Sequence, residues 1–158
     1  MDVEQELERA RNEYKGNRKF VSRLRNRPPR DLDERVHEAH DAAFDRIDCL
    51  DCANCCKTTS PIFRDIDIDR LSRHLGIRPA ELVEQYLHLD DEQDYVLNVA
   101  PCPFLGADNY CSVYEARPRA CREYPHTDRK NMLPILPLTL RNSLVCPAVA
   151  EVFRTLRD

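Results

Sequence analysis

Eight cysteines stand at positions 49, 52, 55, 56, 102, 111, 121 and 146 of this 158-residue chain, and the first four form the run Cys49-x-x-Cys52-x-x-Cys55-Cys56. Two cysteines separated by two residues can turn both sulfurs toward one centre while local N–H groups point at the thiolates. Cys49/Cys52 and Cys52/Cys55 both have that relationship. The side chains of adjacent Cys55 and Cys56 diverge, so this pair suits two neighbouring centres, or a cluster and its surroundings, better than a single tetrahedral ion. Cys102, Cys111, Cys121 and Cys146 are widely spaced and must be gathered by folding. Four plus four thiolates is the stoichiometry of two all-cysteine tetrahedral sites, and it also suffices for one 4Fe-4S cluster with thiols to spare. The chemistry to expect is metal chelation.

Two other uses of cysteine compete with that reading. A disulfide framework needs an oxidising compartment. The opening sequence MDVEQELERARNEYKGNRKF has neither the apolar region nor the small-residue cleavage site of a secretory leader, so the thiols are expected to meet a reducing cytoplasm. Buried free cysteine acts as a small hydrophobe, which accounts for one or two sulfurs but not for four within eight residues.

The elements that must position these sulfurs are short and mainly helical. Val3, Leu7, Ala10, Tyr14, Val21 and Leu24 recur at near-helical spacing over residues 2–26, with a break expected near Gly16-Asn17 and an end at Pro28-Pro29. Asp31 or Asp33 can cap a second helix whose apolar side carries Leu32, Val36, Ala39, Ala43, Phe44 and Ile47, delivering the chain to Cys49. Ile66, Ile68, Leu71 and Leu75 predict a short helix closed by Gly76, and Pro79 opens another from Ala80 to His88. Tyr95, Val96, Leu97 and Val99 are the best strand candidate. Residues 117–123 predict one or two helical turns, and Pro147 opens a final helix from Ala148 to Arg157 striped with Val149, Val152, Phe153 and Leu156. The fold class expected is mainly α, with a small α+β arrangement as the alternative: a compact, metal-centred domain of short helices at 49–158, with a helical extension at 1–48 packed outside it. In so small a module, metal binding would contribute directly to folding.

Composition narrows the partners. The formal charge is −4, and eight thiolates around two zinc ions would take it to about −8, so non-specific nucleic-acid binding is disfavoured. A basic stretch at Arg18, Lys19, Arg23, Arg25, Arg27 and Arg30 reads first as a solvated helix face. No apolar run approaches the roughly 20 residues of a membrane span. No internal repeat, phosphate loop, nucleotide fingerprint or Ser/His/Asp arrangement is present, so no catalytic residue is assigned. The expected partners are metal ions, with the N-terminal helices offering a surface for a protein.

Several stretches of the chain carry a resemblance. Cys49-Leu-Asp-Cys52-Ala-Asn-Cys55-Cys56, Pro101-Cys102-Pro103-Phe104-Leu105, Cys111-Ser-Val-Tyr114-Glu115-Ala-Arg117-Pro118-Arg-Ala-Cys121-Arg122-Glu-Tyr124-Pro125 and Cys146-Pro147 closely resemble the CxxCxxCC, or YkgJ-type, cysteine-cluster proteins, a family named for zinc or iron chelation. The resemblance runs from Cys49 to Pro147. It implies that all eight cysteines are candidate ligands, and it implies no reaction.

Lys57, Arg64, Arg117, Arg119, Arg122 and Arg141 lie near the cysteines in sequence and can offset thiolate charge, with Arg117 and Arg122 the first choices; the competing reading is ion pairing with Glu115 or Glu123. Tyr114 and Tyr124 can shield the site, Pro103, Pro118, Pro125 and Pro147 fix turns beside sulfurs, and the helix after Cys146 favours its thiolate. His126 is a minor ligand candidate. Asp65, Asp67 and Asp69 lack the glycine and distal Glu of a calcium loop, and read as helix-capping residues.

Zinc suits closed four-thiolate sites and stands ahead of iron, with two zinc ions the expected complement. The rival is an iron-sulfur protein acting in redox chemistry or as accessory to a modifying enzyme. Cys49-x-x-Cys52-x-x-Cys55 matches the first ligands of a bacterial ferredoxin run, Cys146-Pro147 or Cys102-Pro103 can complete it, and flagellin lysine methylases carry a related motif. Cys56 has no place in that pattern. Storage, delivery or sensing of metal, a cluster-dependent activity, and a metal-stapled interaction module are the function classes that remain.

Overall fold

A 24-residue helix, α1 (Val3–Asn26), opens the chain in the computed structural model, which describes residues 1–158. Asp2 caps it, its Oδ1 accepting the Gln5 N–H at 3.1 Å. The expected break at Gly16-Asn17 does not occur. Asn17 is buried and its Oδ1 accepts a hydrogen bond from Arg157 Nη1 at 2.9 Å. A β-carbon at Gly16 would meet the same guanidinium at 3.0–3.3 Å. The glycine therefore admits a neighbouring side chain, and tertiary contact outweighs its weak helix propensity.

The remaining helices are α2 (Leu32–Phe44), α3 (Cys49–Cys52), α4 (Asn54–Thr58), α5 (Asp65–Leu75), α6 (Pro79–Tyr86), α7 (Arg119–Glu123), α8 (Leu136–Asn142) and α9 (Pro147–Arg157). Short 3-10 turns cover Tyr114–Ala116 and Leu133–Ile135. The only sheet pairs β1 (Leu87–Leu89) with β2 (Tyr95–Leu97) antiparallel, His88 opposite Val96. The class is thus mainly α. The chain forms two compact units, Met1–Cys52 with Pro125–Asp158, and Ala53–Tyr124. These units cut across the expected 1–48 and 49–158 segments, because the helices before Cys49 share a core with those after residue 125.

In the first unit, Val21 and Leu24 of α1, Leu32, Val36, Ala39 and Ala43 of α2, Leu136 and Leu140 of α8, and Val149, Val152, Phe153 and Leu156 of α9 form one apolar cluster with Met132. Phe153 and Val149 have no exposed surface, and truncating such a phenylalanine to alanine costs roughly 3–5 kcal/mol. Arg154, on the edge of this core, donates to Glu6 at 2.9 Å, Glu13 at 2.8 Å and Glu151 at 3.0 Å. On α2, Asp31 takes the cap position without a side-chain cap bond. Asp33 instead accepts the N–H groups of Asn131 at 2.7 Å and Met132 at 2.8 Å. His37 and His40, farther along that face, meet the Arg129 carbonyl at 2.8 Å and the Thr127 hydroxyl at 2.7 Å. Three side chains of one helix thereby fasten residues 127–132.

In the second unit, Phe63, Ile68, Leu71, Leu82, Leu87, Leu97, Phe104, Val113 and Ala116 make the core. Gly76 closes α5 in the left-handed conformation at φ 70°, as its position predicts, and Pro79 begins α6. The helix expected to reach His88 stops at Tyr86. Leu87–Leu89 pair with β2 instead, the ladder outweighing two more residues of helix. Asp67 reaches back from the third position of α5 to accept the Arg64 N–H at 3.0 Å, the capping role expected of this acidic trio.

Candidate metal centre

Five cysteines lie in the second unit, on four separate stretches. Cys55 and Cys56 sit on α4, following Ala53, which holds a left-handed φ of 47°. The Cys102 N–H donates to the Cys56 carbonyl at 2.8 Å, tying the backbones of these two cysteines together. From Cys102 the chain turns back on itself: Gly106 N–H donates to the Tyr110 carbonyl at 2.8 Å, and Leu105 pairs with Cys111. Cys121 occupies the middle of α7.

The sulfurs of this unit are electrostatic neighbours. Burial, then the charges of Cys56, Cys102 and Cys111, push the Cys121 thiol up to about 12 despite the opposing pull of Arg117. Burial raises Cys102 as well, against N–H bonds from Phe104 and Leu105 and with Cys56 and Cys111 adding to the rise. Cys56 is the exception. A hydrogen bond from Cys55, whose sulfur stands 4.0 Å away, outweighs burial and, with the charges of Arg117 and Lys57, lowers it to about 7. Four soft donors, Cys56, Cys102, Cys111 and Cys121, thus crowd one region where each anion opposes the next. A thiophilic cation relieves that opposition, and the donor set fits zinc or iron. The sulfurs are grouped rather than closed into a shell: no three donor side chains within a unit already stand in coordinating geometry.

The first unit holds Cys49, Cys52 and Cys146. Cys49 is exposed and Cys52 buried, at the two ends of α3. Cys146 is the N-cap of α9 and makes no side-chain cap hydrogen bond, its carbonyl accepting the Val149 N–H at 3.1 Å. Burial pushes its thiol up to about 11 against the pull of the nearby Val149 and Ala148 N–H groups, and the charges of Cys49 and Cys52 add to the rise. The helix start alone does not make this sulfur a thiolate.

The basic residues near the cysteines divide into two kinds. Arg117 stacks its guanidinium 3.7 Å from the Tyr114 ring centroid and donates from Nε to the Tyr114 carbonyl at 2.9 Å, which holds its charge beside Cys56 and Cys121. Tyr114, expected to shield the sulfurs, is 57% exposed and serves as the platform for that arginine. Arg64 pairs with Asp67 at 3.0 Å and Arg119 with Glu123, so neither is committed to thiolates. Arg122 and Arg141 are exposed. His126 lies in the first unit with a left-handed φ of 65°.

The residue that reasoning from cysteines missed is Asp67. It accepts the Arg119 N–H at 3.1 Å and the Arg70 Nη2 at 2.8 Å, while that same Nη2 bonds the Arg117 carbonyl at 2.8 Å. A fully buried carboxylate therefore fixes the segment that carries Arg117 and Cys121. Its capping position was readable in the sequence, but its partners 50 residues away were not.

Residues 48–139 match the family model described as "CxxCxxCC: Putative zinc- or iron-chelating domain". The match covers more than half of the chain and spans every cysteine except Cys146. No curated protein and no solved structure matches the chain. The chain belongs to the CxxCxxCC family, and as a member it is a cysteine-rich protein of the zinc- or iron-chelating type.

Proposed function

We propose that this CxxCxxCC protein is a cytoplasmic zinc carrier or sensor whose eight cysteines are the ligands, Cys56, Cys102, Cys111 and Cys121 forming one all-thiolate site. The observation that supports this reading is the backbone bond of Cys102 N–H to the Cys56 carbonyl at 2.8 Å and the Leu105–Cys111 pairing, together with the mutual electrostatic influence of the four thiols. Four thiolates are the donor set of a closed zinc site, and a reducing compartment keeps them available. When bound, the ion supplies charge neutralisation and a tie between distant parts of the chain.

The residues themselves divide the remaining work. The Phe104 and Leu105 N–H groups steady the Cys102 sulfur, and Arg117 places positive charge beside Cys56 and Cys121. Cys49, Cys52 and Cys146 form a second group in their own unit, with Cys49 exposed and available to exchange. Cys55 and Arg122 complete the ligand and supporting sets in this proposal, residues 49–158 being the metal-binding portion. No residue is given a catalytic role.

Metal analysis and an absorption spectrum of anaerobically purified full-length protein test the reading. A colourless protein carrying close to stoichiometric zinc, whose content falls by one ion in Cys56→Ser or Cys121→Ser, supports it. A brown protein absorbing in the visible replaces zinc by an iron-sulfur cluster. Material without bound metal, or serine variants that keep the full complement, refutes the site.

A further inference from the structure

The arginines of α1 fall into two classes. In its first half, Arg9 pairs with Glu13 at 3.0 Å, and Arg11 with Glu8 at 2.7 Å and Glu4 at 3.2 Å. From its last turn into α2, Arg23, Arg25, Arg27, Arg30 and Arg35 pair with no carboxylate at all, in a chain whose net charge is −4. Arg23 and Arg25 suit the negative end of the α1 dipole. That account does not reach Arg27, beyond the helix, or Arg35, on the second turn of α2.

Three of these cations converge. An open cavity of about 560 Å³ is lined by Arg23, Leu24, Asn26, Arg27, Pro29 and Arg35. Arg23 and Arg27 are one helical turn apart, and the Arg27 N–H still bonds the Arg23 carbonyl at 3.0 Å. The Pro28-Pro29 turn then brings α2 round so that Arg35 completes the lining. Arg35 is half-buried and anchored by one bond from Nη2 to the Leu156 carbonyl at 3.3 Å, its other N–H groups remaining for a ligand. Asp33 on α2 is engaged by the N–H groups of Asn131 and Met132.

We propose that this cavity binds a phosphorylated small molecule, the phosphate held by Arg23, Arg27 and Arg35 and the organic portion resting on Leu24 and Pro29. Guanidinium forks match phosphate oxygens two at a time, and three around one space suit a tetrahedral dianion better than a planar carboxylate. The volume falls within the range of roughly 300–1,000 Å³ for small-ligand sites. A nucleic-acid strand would instead need an extended basic track, which the acidic chain as a whole opposes.

Calorimetric titration of the full-length, metal-loaded protein at constant ionic strength provides the test, with phenyl phosphate, inorganic phosphate and a single-stranded oligonucleotide as probes. Phenyl phosphate is expected to bind saturably and more tightly than inorganic phosphate. The double variant R23Q/R27Q, at two exposed positions, should weaken it by about tenfold or more. R9Q/R11Q makes the same charge change near the other end of α1 and should leave it unaltered, with circular dichroism and metal content unchanged in both. Absence of saturable phenyl phosphate binding, equal weakening by both variants, or oligonucleotide binding without phenyl phosphate binding each overturns the proposal.

Discussion

Asp67 Oδ1 accepts the main-chain N–H of Arg119 at 3.1 Å, so a carboxylate with no exposed surface on α5 fixes the first residue of the helix that carries Cys121. The same carboxylate holds Arg64 at 3.0 Å and Arg70 at 2.8 Å. Replacing Asp67 by Asn keeps the shape and removes the charge around which two guanidiniums are arranged. Both guanidiniums retain solvent contact, which trims the cost of losing a buried ionic partner to about 3 kcal/mol. Urea unfolding of Asp67→Asn at neutral pH should show that loss with an unchanged slope. A difference below about 1 kcal/mol would mean that the carboxylate is not what organises this segment.

The same residue sets a pH dependence. Burial opposes ionisation of Asp67, but the side chain and N–H of Arg64, the Arg119 N–H and Arg70 overcome it and hold the carboxyl well below the usual range. Because the folded value lies below the unfolded value of about 3.9, the contribution is complete above that value and disappears as pH falls toward the native one. The stability gap between the wild type and Asp67→Asn should therefore be constant from about pH 7 to 5 and shrink below about pH 4. A gap independent of pH down to acid unfolding would contradict the assignment.

How legible each element was follows from where its determinants sit. Gly76, Pro79 and Pro147 mark helix ends by backbone chemistry internal to a few residues, and these ends are where the sequence places them. Helix α8 and the turn before it lie outside the elements that periodicity predicts; Pro134 and Pro137 each occupy an early position of their element, where no N–H is needed. The continuity of α1 through Gly16 depends on Arg157, some 140 residues away. The cysteine inventory was readable from spacing. Its partition into Cys49, Cys52 and Cys146 in one unit, and Cys55, Cys56, Cys102, Cys111 and Cys121 in the other, depends on long-range packing that no local pattern encodes.

Arg154 is 12% exposed and joins Glu6 and Glu13 of α1 to Glu151 of its own helix. Removing it leaves Glu6 without a counter-charge and Glu13 and Glu151 with only the exposed guanidiniums of Arg9 and Arg46. Arg154→Ala should cost about 3 kcal/mol, which corresponds to a fall in Tm of roughly 6–12 °C for a chain of this size. Arg154→Lys should recover only part, because one ammonium cannot reproduce a planar fork. Thermal unfolding of both variants checks this, and full recovery by lysine would show that net charge alone suffices.

Arg117 offers the sharpest distinction between supporting a metal site and merely stabilising the fold. Its guanidinium sits over the Tyr114 ring, 3.7 Å from the centroid, and its Nε is fixed by the Tyr114 carbonyl, so its charge is positioned by two contacts within three residues. Partners that orient metal ligands typically carry 10- to 100-fold in metal affinity. Arg117→Gln should keep the metal stoichiometry and change Tm by only a few degrees, yet release metal to a competing chelator about tenfold faster. Tyr114→Leu, which removes the platform but not the charge, should give a smaller acceleration in the same direction. Chelator-exchange rates unchanged in Arg117→Gln would assign this arginine to surface packing with Tyr114 and remove it from the supporting set.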